Sequence, residues 1–145
     1  MADLSFSTEL NWSNTGRNGE GVVRLGGNEV TYSAPDSMGG KGVGTSPEEL
    51  LISAVSACYS ATLFGVLRKS ELPVDDVTIK AEGIVTGYPL QSKFARLIVS
   101  PVIHGSVQNR IEEYQRAATT ARDKCFIGKT IAGNVDYQVG EVELA

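Results

Sequence analysis

Between Leu50 and Leu67 the chain carries apolar and small residues and no charge. Leu50, Leu51, Ile52, Ala54, Val55, Ala57, Cys58, Ala61, Leu63, Phe64, Val66 and Leu67 fall on no single stripe of a helix. They cover it nearly all round, which is the pattern of a buried helix. The stretch, taken from Gly44, opens on a helix start. Ser46 can act as N-cap, Pro47 takes the first helical position, and Glu49 at the third can close a capping box. The helix is expected to end near Ser70 or Glu71, because Pro73 cannot continue it. A second helix, of a different kind, is predicted over Val107 to Lys124. There Val107, Ile111, Tyr114, Ala118, Ala121 and Cys125 recur at intervals of four and three and make one apolar face. Arg110, Glu112, Glu113, Arg116 and Asp123 lie off that face, and Gly128 can stop the region.

The remaining apolar positions alternate. Leu4 to Trp12 reads as a strand, Asn14 to Gly19 as a turn with an Asn-Gly signal, and Gly21–Leu25 and Glu29–Ser33 as short strands around Gly26-Gly27-Asn28. Ala34 to Gly44, rich in glycine, is a loop that delivers the chain to the central helix. Asp76–Thr86 and Phe94–Ile103 form a hairpin pair, and Asn134–Val142 a final strand. The element order is βββ-α-ββ-α-β. Helices and strands do not alternate throughout, so the fold class is α+β with mainly antiparallel strands.

At 145 residues the chain is expected to form one domain, residues 1–145. An apolar fraction of 41% and a charged fraction of 21% are those of a soluble globular protein. Net charge is −4, and the seven arginines and six lysines are scattered, so no nucleic-acid partner is indicated. The start MADLSFSTELNW has neither a basic nor an apolar leader pattern. Leu50–Leu67 approaches the length of a membrane span, but its serines, its threonine and the abutting Glu48 and Glu49 favour a buried core helix. No membrane association and a cytoplasmic location are expected. Cys58 and Cys125 are too few for a disulfide scaffold, and one histidine, His104, leaves no set of four Cys/His zinc ligands. His104 reads as a surface residue at a strand end.

A buried cysteine is usually an inert small hydrophobe. Two features count the other way here: both cysteines lie on inferred buried helical faces, and small residues flank them, Ser56-Ala57 before Cys58 and Gly128 after Cys125. Two helix-borne thiols could oxidise to each other, but spacing in sequence does not fix their separation. Arg17 lies in a Gly/Asn turn, where an arginine is usually solvated. Its functional reading is a charge that lowers a thiol pKa or orients a substrate. Glu48 reads most simply as a helix first-turn carboxylate.

These segments together resemble the OsmC/Ohr family of osmotically inducible and organic hydroperoxide resistance proteins. GTSPEELLISAVSACYSATL is similar to the family's central-helix motif, with Ser46 where asparagine is usual; both can cap. Thr15-Gly16-Arg17-Asn18-Gly19 resembles the family's arginine turn. Lys124 to Lys129, followed by Asn134-Val135, resembles its second-cysteine segment, usually Cys-Pro-Ile/Val-Ser, from which Phe126 and Gly128 depart. The resemblance spans nearly the whole chain. It implies an OsmC-like fold, strands wrapped around a long central helix, in an intertwined homodimer with sites at the interface. It implies a thiol peroxidase acting on organic hydroperoxides, with Cys58 peroxidatic, Cys125 resolving, Arg17 stabilising the thiolate and Glu48 pairing with the arginine. It implies no metal or organic cofactor, and a dithiol reductant of lipoyl type.

The set is chemically coherent, because the attacking species must be a thiolate and a nearby guanidinium favours that form. Glu48 and Cys58 stand ten residues apart, about 15 Å along a helix. If Glu48 serves the site, Arg17 bridges the gap or a second subunit supplies the glutamate. An all-round apolar helix independently points to a two-fold dimer. The alternative is a non-catalytic stress or ligand-binding dimer of the same fold, favoured by the altered segment after Cys125. A redox sensor ranks last, since no DNA-binding stretch is present.

Overall fold

The computed structural model describes all residues, Met1–Ala145, and divides into two compact units, Met1–Leu50 and Leu51–Ala145. The first is an antiparallel meander of β1 (Glu9–Ser13), β2 (Glu20–Leu25) and β3 (Asn28–Tyr32) in that order. The Trp12 and Tyr32 rings meet at 5.5 Å between centroids. The loop after β3 is held by Ser33, whose hydroxyl donates to the Val43 carbonyl (2.8 Å) and accepts from the Val43 amide (2.9 Å). Those bonds bring the chain to Ser46, the cap of α1 (Pro47–Lys69).

The cap forms in a variant of the expected box. Ser46 Oγ accepts from the Glu49 amide at 3.2 Å, and its hydroxyl donates to Glu49 Oε1 at 2.9 Å. Leu72 N bonds the Leu67 carbonyl where the helix stops, and Glu71 takes a left-handed φ of 57°.

The second unit holds the main core. Here β4 (Asp76–Thr86) and β5 (Lys93–His104) form the expected hairpin, and β6 (Asp136–Val139) and β7 (Glu143–Leu144) lie parallel to β5 on its other side. The final strand is therefore two short pieces rather than one run over 134–142. Pro101 gives the reason. Val99 O accepts from Gly140 N and Ile103 O from Ala145 N, so odd-numbered residues of β5 turn their backbone groups to this side. Pro101 has no N–H to offer there, and the ladder breaks between Val99–Val139 and Val102–Glu143.

Helix α2 (Ile111–Lys124) follows a single 3-10 turn at Gln108–Arg110 and buries Tyr114, Ala117, Ala118 and Ala121. No separate element is expected from the sequence after Cys125, but Phe126–Ile131 forms a short helix, α3. Val55, Tyr59, Leu63 and Leu67 of α1 join Leu97, Val99 and Ile103 of β5 and the apolar face of α2 in one cluster. Tyr59 Oη donates to the Ala118 carbonyl at 3.0 Å, and Tyr114 Oη to the Pro73 carbonyl at 2.6 Å, so both buried phenols are satisfied.

One expectation needs qualification. Helix α1 is long and apolar enough to cross a membrane, with mean hydropathy 1.9, yet only Val55, Tyr59, Leu63 and Leu67 are buried within the single chain. Ser53, Ala54, Ala57, Ala61 and Gly65 form an exposed stripe of small residues. The chain alone thus wraps one side of α1.

Leu63→Ala is expected to lower unfolding free energy by roughly 2–5 kcal/mol through the cavity it leaves. Ser46→Ala is expected to cost about 1 kcal/mol through the lost cap. Urea unfolding followed by circular dichroism measures both, and a smaller loss for Leu63→Ala than for Ser46→Ala would contradict this account of the core.

Candidate functional site: two thiols between α1 and α3

Cys58 lies in the middle of α1, between the core anchors Val55 and Tyr59, and is half-buried. Cys125 lies where α2 ends. Its backbone leaves the helical region (φ −63°, ψ 108°) and it becomes the cap of α3. Its side chain is fully buried and turns toward α1: the thiol donates to the Val55 carbonyl at 3.9 Å, and the sulfur accepts from the Gly128 amide at 3.4 Å. The Cys125 thiol thereby meets the backbone of the helical turn that carries Cys58. The fold therefore supplies the proximity that spacing alone left open, with both cysteines as free thiols.

The two thiols are electrostatically unlike. Burial pushes the Cys58 pKa up, but the Ile127 amide, the Cys125 thiol, the Thr62 hydroxyl and the Phe126 amide together pull it below the ordinary 9.0. These donors approach Cys58 loosely; the two sulfur hydrogen bonds of full geometry belong to Cys125. For Cys125, burial raises the pKa, and Cys58 raises it further by hydrogen bond and by charge. The Gly128 amide and the Tyr137 hydroxyl only partly offset this. Such a pair can hold one thiolate, on Cys58, beside one thiol, on Cys125.

Arg17 and Glu48 lie in the first unit and do not bond each other. Arg17, in a 3-10 turn at Gly16–Asn18, is exposed, and its guanidinium donates to Asp36 Oδ1 at 2.9 Å. Glu48, at the second position of α1, has Oε1 buried with no hydrogen-bond partner. A buried carboxylate oxygen without a donor is costly.

Sequence reasoning missed four contributors: the amides of Phe126 and Ile127, the Thr62 hydroxyl and Tyr137. Thr62 could have been found, since it stands one turn after Cys58, and its hydroxyl also donates to the Cys58 carbonyl at 2.8 Å. The amides and Tyr137 carried no signal. FIGKTI holds a glycine and three β-branched residues, weak helix formers. Tyr137 meets Cys125 only through the parallel pairing of β6 with β5. The same packing accounts for Gly128, because a Cβ there would overlap the Tyr137 ring and stand 3.4 Å from Cys125 Sγ.

A mixed fold presenting a low-pKa thiol beside a buried one defines a protein with a paired-cysteine site. Residues 39–140 match the OsmC-like protein family, and the chain belongs to it. It is 31% identical over 142 residues to the uncharacterized protein YmaD of Bacillus subtilis (strain 168), covering 96% of this chain and 94% of that one. Two crystal structures are also similar. One is an organic hydroperoxide resistance protein OsmC from Legionella pneumophila, described too as a regulator of sulfide bond formation (25% identity, 97% and 99% of the two chains, TM-score 0.71). The other is a putative organic hydroperoxide resistance protein from Vibrio cholerae with captopril in one of its active sites (26% identity, 97% and 93%, TM-score 0.69). The OsmC/Ohr resemblance and the α+β, OsmC-like fold expected from sequence are thereby established.

Iodoacetamide at neutral pH is expected to modify Cys58 and to leave Cys125 unmodified until the protein unfolds. The apparent pKa of the Cys58 reaction should lie below 9.0, and Cys125→Ala should raise it by removing a donor. Mass-spectrometric mapping against pH reads both, and preferential labelling of Cys125 would refute the assignment.

Proposed function

We propose that this protein is a cysteine-based peroxidase that reduces organic hydroperoxides. The observation that carries the reading is the opposed pair: a half-accessible Cys58 whose thiolate is favoured, with a buried, protonated Cys125 in reach. In the first step the Cys58 thiolate attacks the distal oxygen of ROOH. The O–O bond breaks, the sulfur becomes a sulfenic acid, and the alkoxide leaves as ROH after taking a proton. In the second, Cys125 attacks that sulfur; an S–S bond forms, the S–O bond breaks, and water leaves. An external dithiol, of lipoyl type by the family resemblance, then restores both thiols by exchange.

An exposed apolar side chain, Phe126 (69%), stands beside the amides that act on Cys58 and suits a hydrophobic peroxide better than hydrogen peroxide. Similarity to two proteins described as organic hydroperoxide resistance proteins supports the same substrate class.

In this reading Arg17 stabilises the thiolate and the peroxide, and Glu48 holds the arginine by carboxylate–guanidinium bonding. The bond of Arg17 to Asp36 and the unpartnered Glu48 Oε1 support a site completed by a second copy of the chain. So do the exposed small-residue stripe of α1 and the exposed Phe6, Leu10 and Trp12. The protein would act in the cytoplasm as a homodimer, residues 1–145 serving as one domain.

With cumene hydroperoxide and a dithiol, wild-type protein should turn over and Cys58→Ser should not; equal rates would end the proposal. Cys125→Ser should still consume one equivalent of peroxide and then over-oxidise to sulfinic acid.

The assembly is tested by sedimentation at micromolar concentration, where a dimer is expected. A monomer that retains full turnover would remove Glu48 and Arg17 from a shared site.

A further inference from the structure

Tyr137 stands in β6 opposite Leu97 of β5, and its ring covers Gly128 where any side chain would collide with it. The Cys125 sulfur lies on the same side of Gly128, 3.4 Å from where that Cβ would stand, so ring and sulfur pack around one point. The hydroxyl oxygen of Tyr137 is buried and makes no hydrogen bond of full geometry with any protein group. A buried hydroxyl in that condition is less favourable than the bare ring of phenylalanine, because its polar group goes unmet. The two fully buried tyrosines of this unit, Tyr59 and Tyr114, both donate to carbonyls. The Tyr137 ring shares the Gly128 face with the Cys125 sulfur.

We propose that Tyr137 is a further catalytic residue, whose hydroxyl donates to the Cys125 sulfur whenever that sulfur carries charge. The inference rests on the peroxidase reading for its biological setting, but the chemistry concerns disulfide formation and reduction at Cys58–Cys125 by any oxidant.

Cys125 carries charge at two moments. When it condenses with the Cys58 sulfenic acid, its S–H proton departs, the S–S bond forms, the S–O bond breaks, and the hydroxide leaves with a proton as water. The Cys125 sulfur is oxidised and the Cys58 sulfur reduced, with no other reactant. When an external dithiol resets the pair, its thiolate attacks Cys58, the more accessible sulfur. The Cys125–Cys58 bond then breaks, and Cys125 departs as a thiolate. The second thiol of the reductant completes the exchange and leaves as the reductant's own disulfide.

The phenol can serve as donor throughout, since burial and the neighbouring Cys125, Tyr59 and Cys58 push its pKa far above the ordinary 10.0. A donor that lowers a thiol pKa by about one unit gives tenfold more thiolate and costs about threefold in intrinsic nucleophilicity. The expected contribution is therefore about three- to tenfold in each step, and none in the attack of Cys58 on peroxide.

The test uses the full-length protein, wild type and Tyr137→Phe, with Tyr114→Phe as a control that removes a buried hydroxyl away from the thiols. After one equivalent of cumene hydroperoxide, sulfenic acid at Cys58 should form at the wild-type rate in Tyr137→Phe. Its conversion to disulfide should slow about three- to tenfold, with more sulfinic acid. In parallel, the disulfide is made with diamide, and its reduction by dithiothreitol is timed. Tyr137→Phe should slow this reduction by a similar factor, and Tyr114→Phe should not. If the wild type forms no sulfenic acid with peroxide but the diamide arm shows the slowing, the peroxidase reading fails and the role of Tyr137 stands. Equal rates for Tyr137→Phe and wild type in both disulfide steps would overturn the role, as would failure of diamide to link Cys58 to Cys125.

Discussion

Burial of one face of α1 is the constraint on which the second unit depends. Val55, Tyr59, Leu63 and Leu67 are spaced every four residues and are completely covered. Each large apolar side chain so buried contributes about 1.5–3 kcal/mol. The same face fixes the chemistry, because Cys58 lies between Val55 and Tyr59, and the Val55 carbonyl receives the Cys125 thiol. A shift of α1 by one residue would cost the core its register and the Cys125 thiol its Val55 acceptor. Stability and site geometry are thus set by the same residues.

Proximity makes the two thiols different from each other. Once Cys58 carries a charge, a second charge at the same place is opposed, and burial adds to the opposition at Cys125. The division is decided by backbone amides: those of Phe126 and Ile127 favour the thiolate on Cys58, and that of Gly128 serves Cys125. All three belong to the turn that follows Cys125. That turn favours the thiolate without a charged side chain. A guanidinium added at Cys58 would act in the same direction, so the two sources of stabilisation are not rivals.

Much of the fold was legible in the sequence because its signals are local. The Ser46-Pro47-Glu49 start, the four-three spacing from Val107 to Ala121, and the alternation of β4 and β5 each act within one element. What escaped depended on partners distant in sequence. The break between β6 and β7 follows from Pro101, some forty residues earlier, and is visible only once β5 is known to lie between β4 and β6. The all-round apolar pattern of α1 was legible as composition, but it does not say which side of the helix the chain's own core covers. In the site, the cysteines were identifiable as candidates. Thr62, one turn after Cys58, was open to a spacing argument, whereas the approach of Cys125 to α1 and of Tyr137 to Cys125 arises from packing that no spacing encodes.

The departures from the usual second-cysteine segment then acquire a physical meaning. Gly128 takes the place where the family resemblance leads one to expect serine, and nothing larger than a hydrogen fits against the Tyr137 ring. A serine there would bring its own hydroxyl toward Cys125 but would exclude this tyrosine from its present position. Gly128 in the altered segment is thus required by the packing of Tyr137. The unpartnered Tyr137 oxygen gives this argument its force, because a ring that served only to fill space would be more stable as phenylalanine.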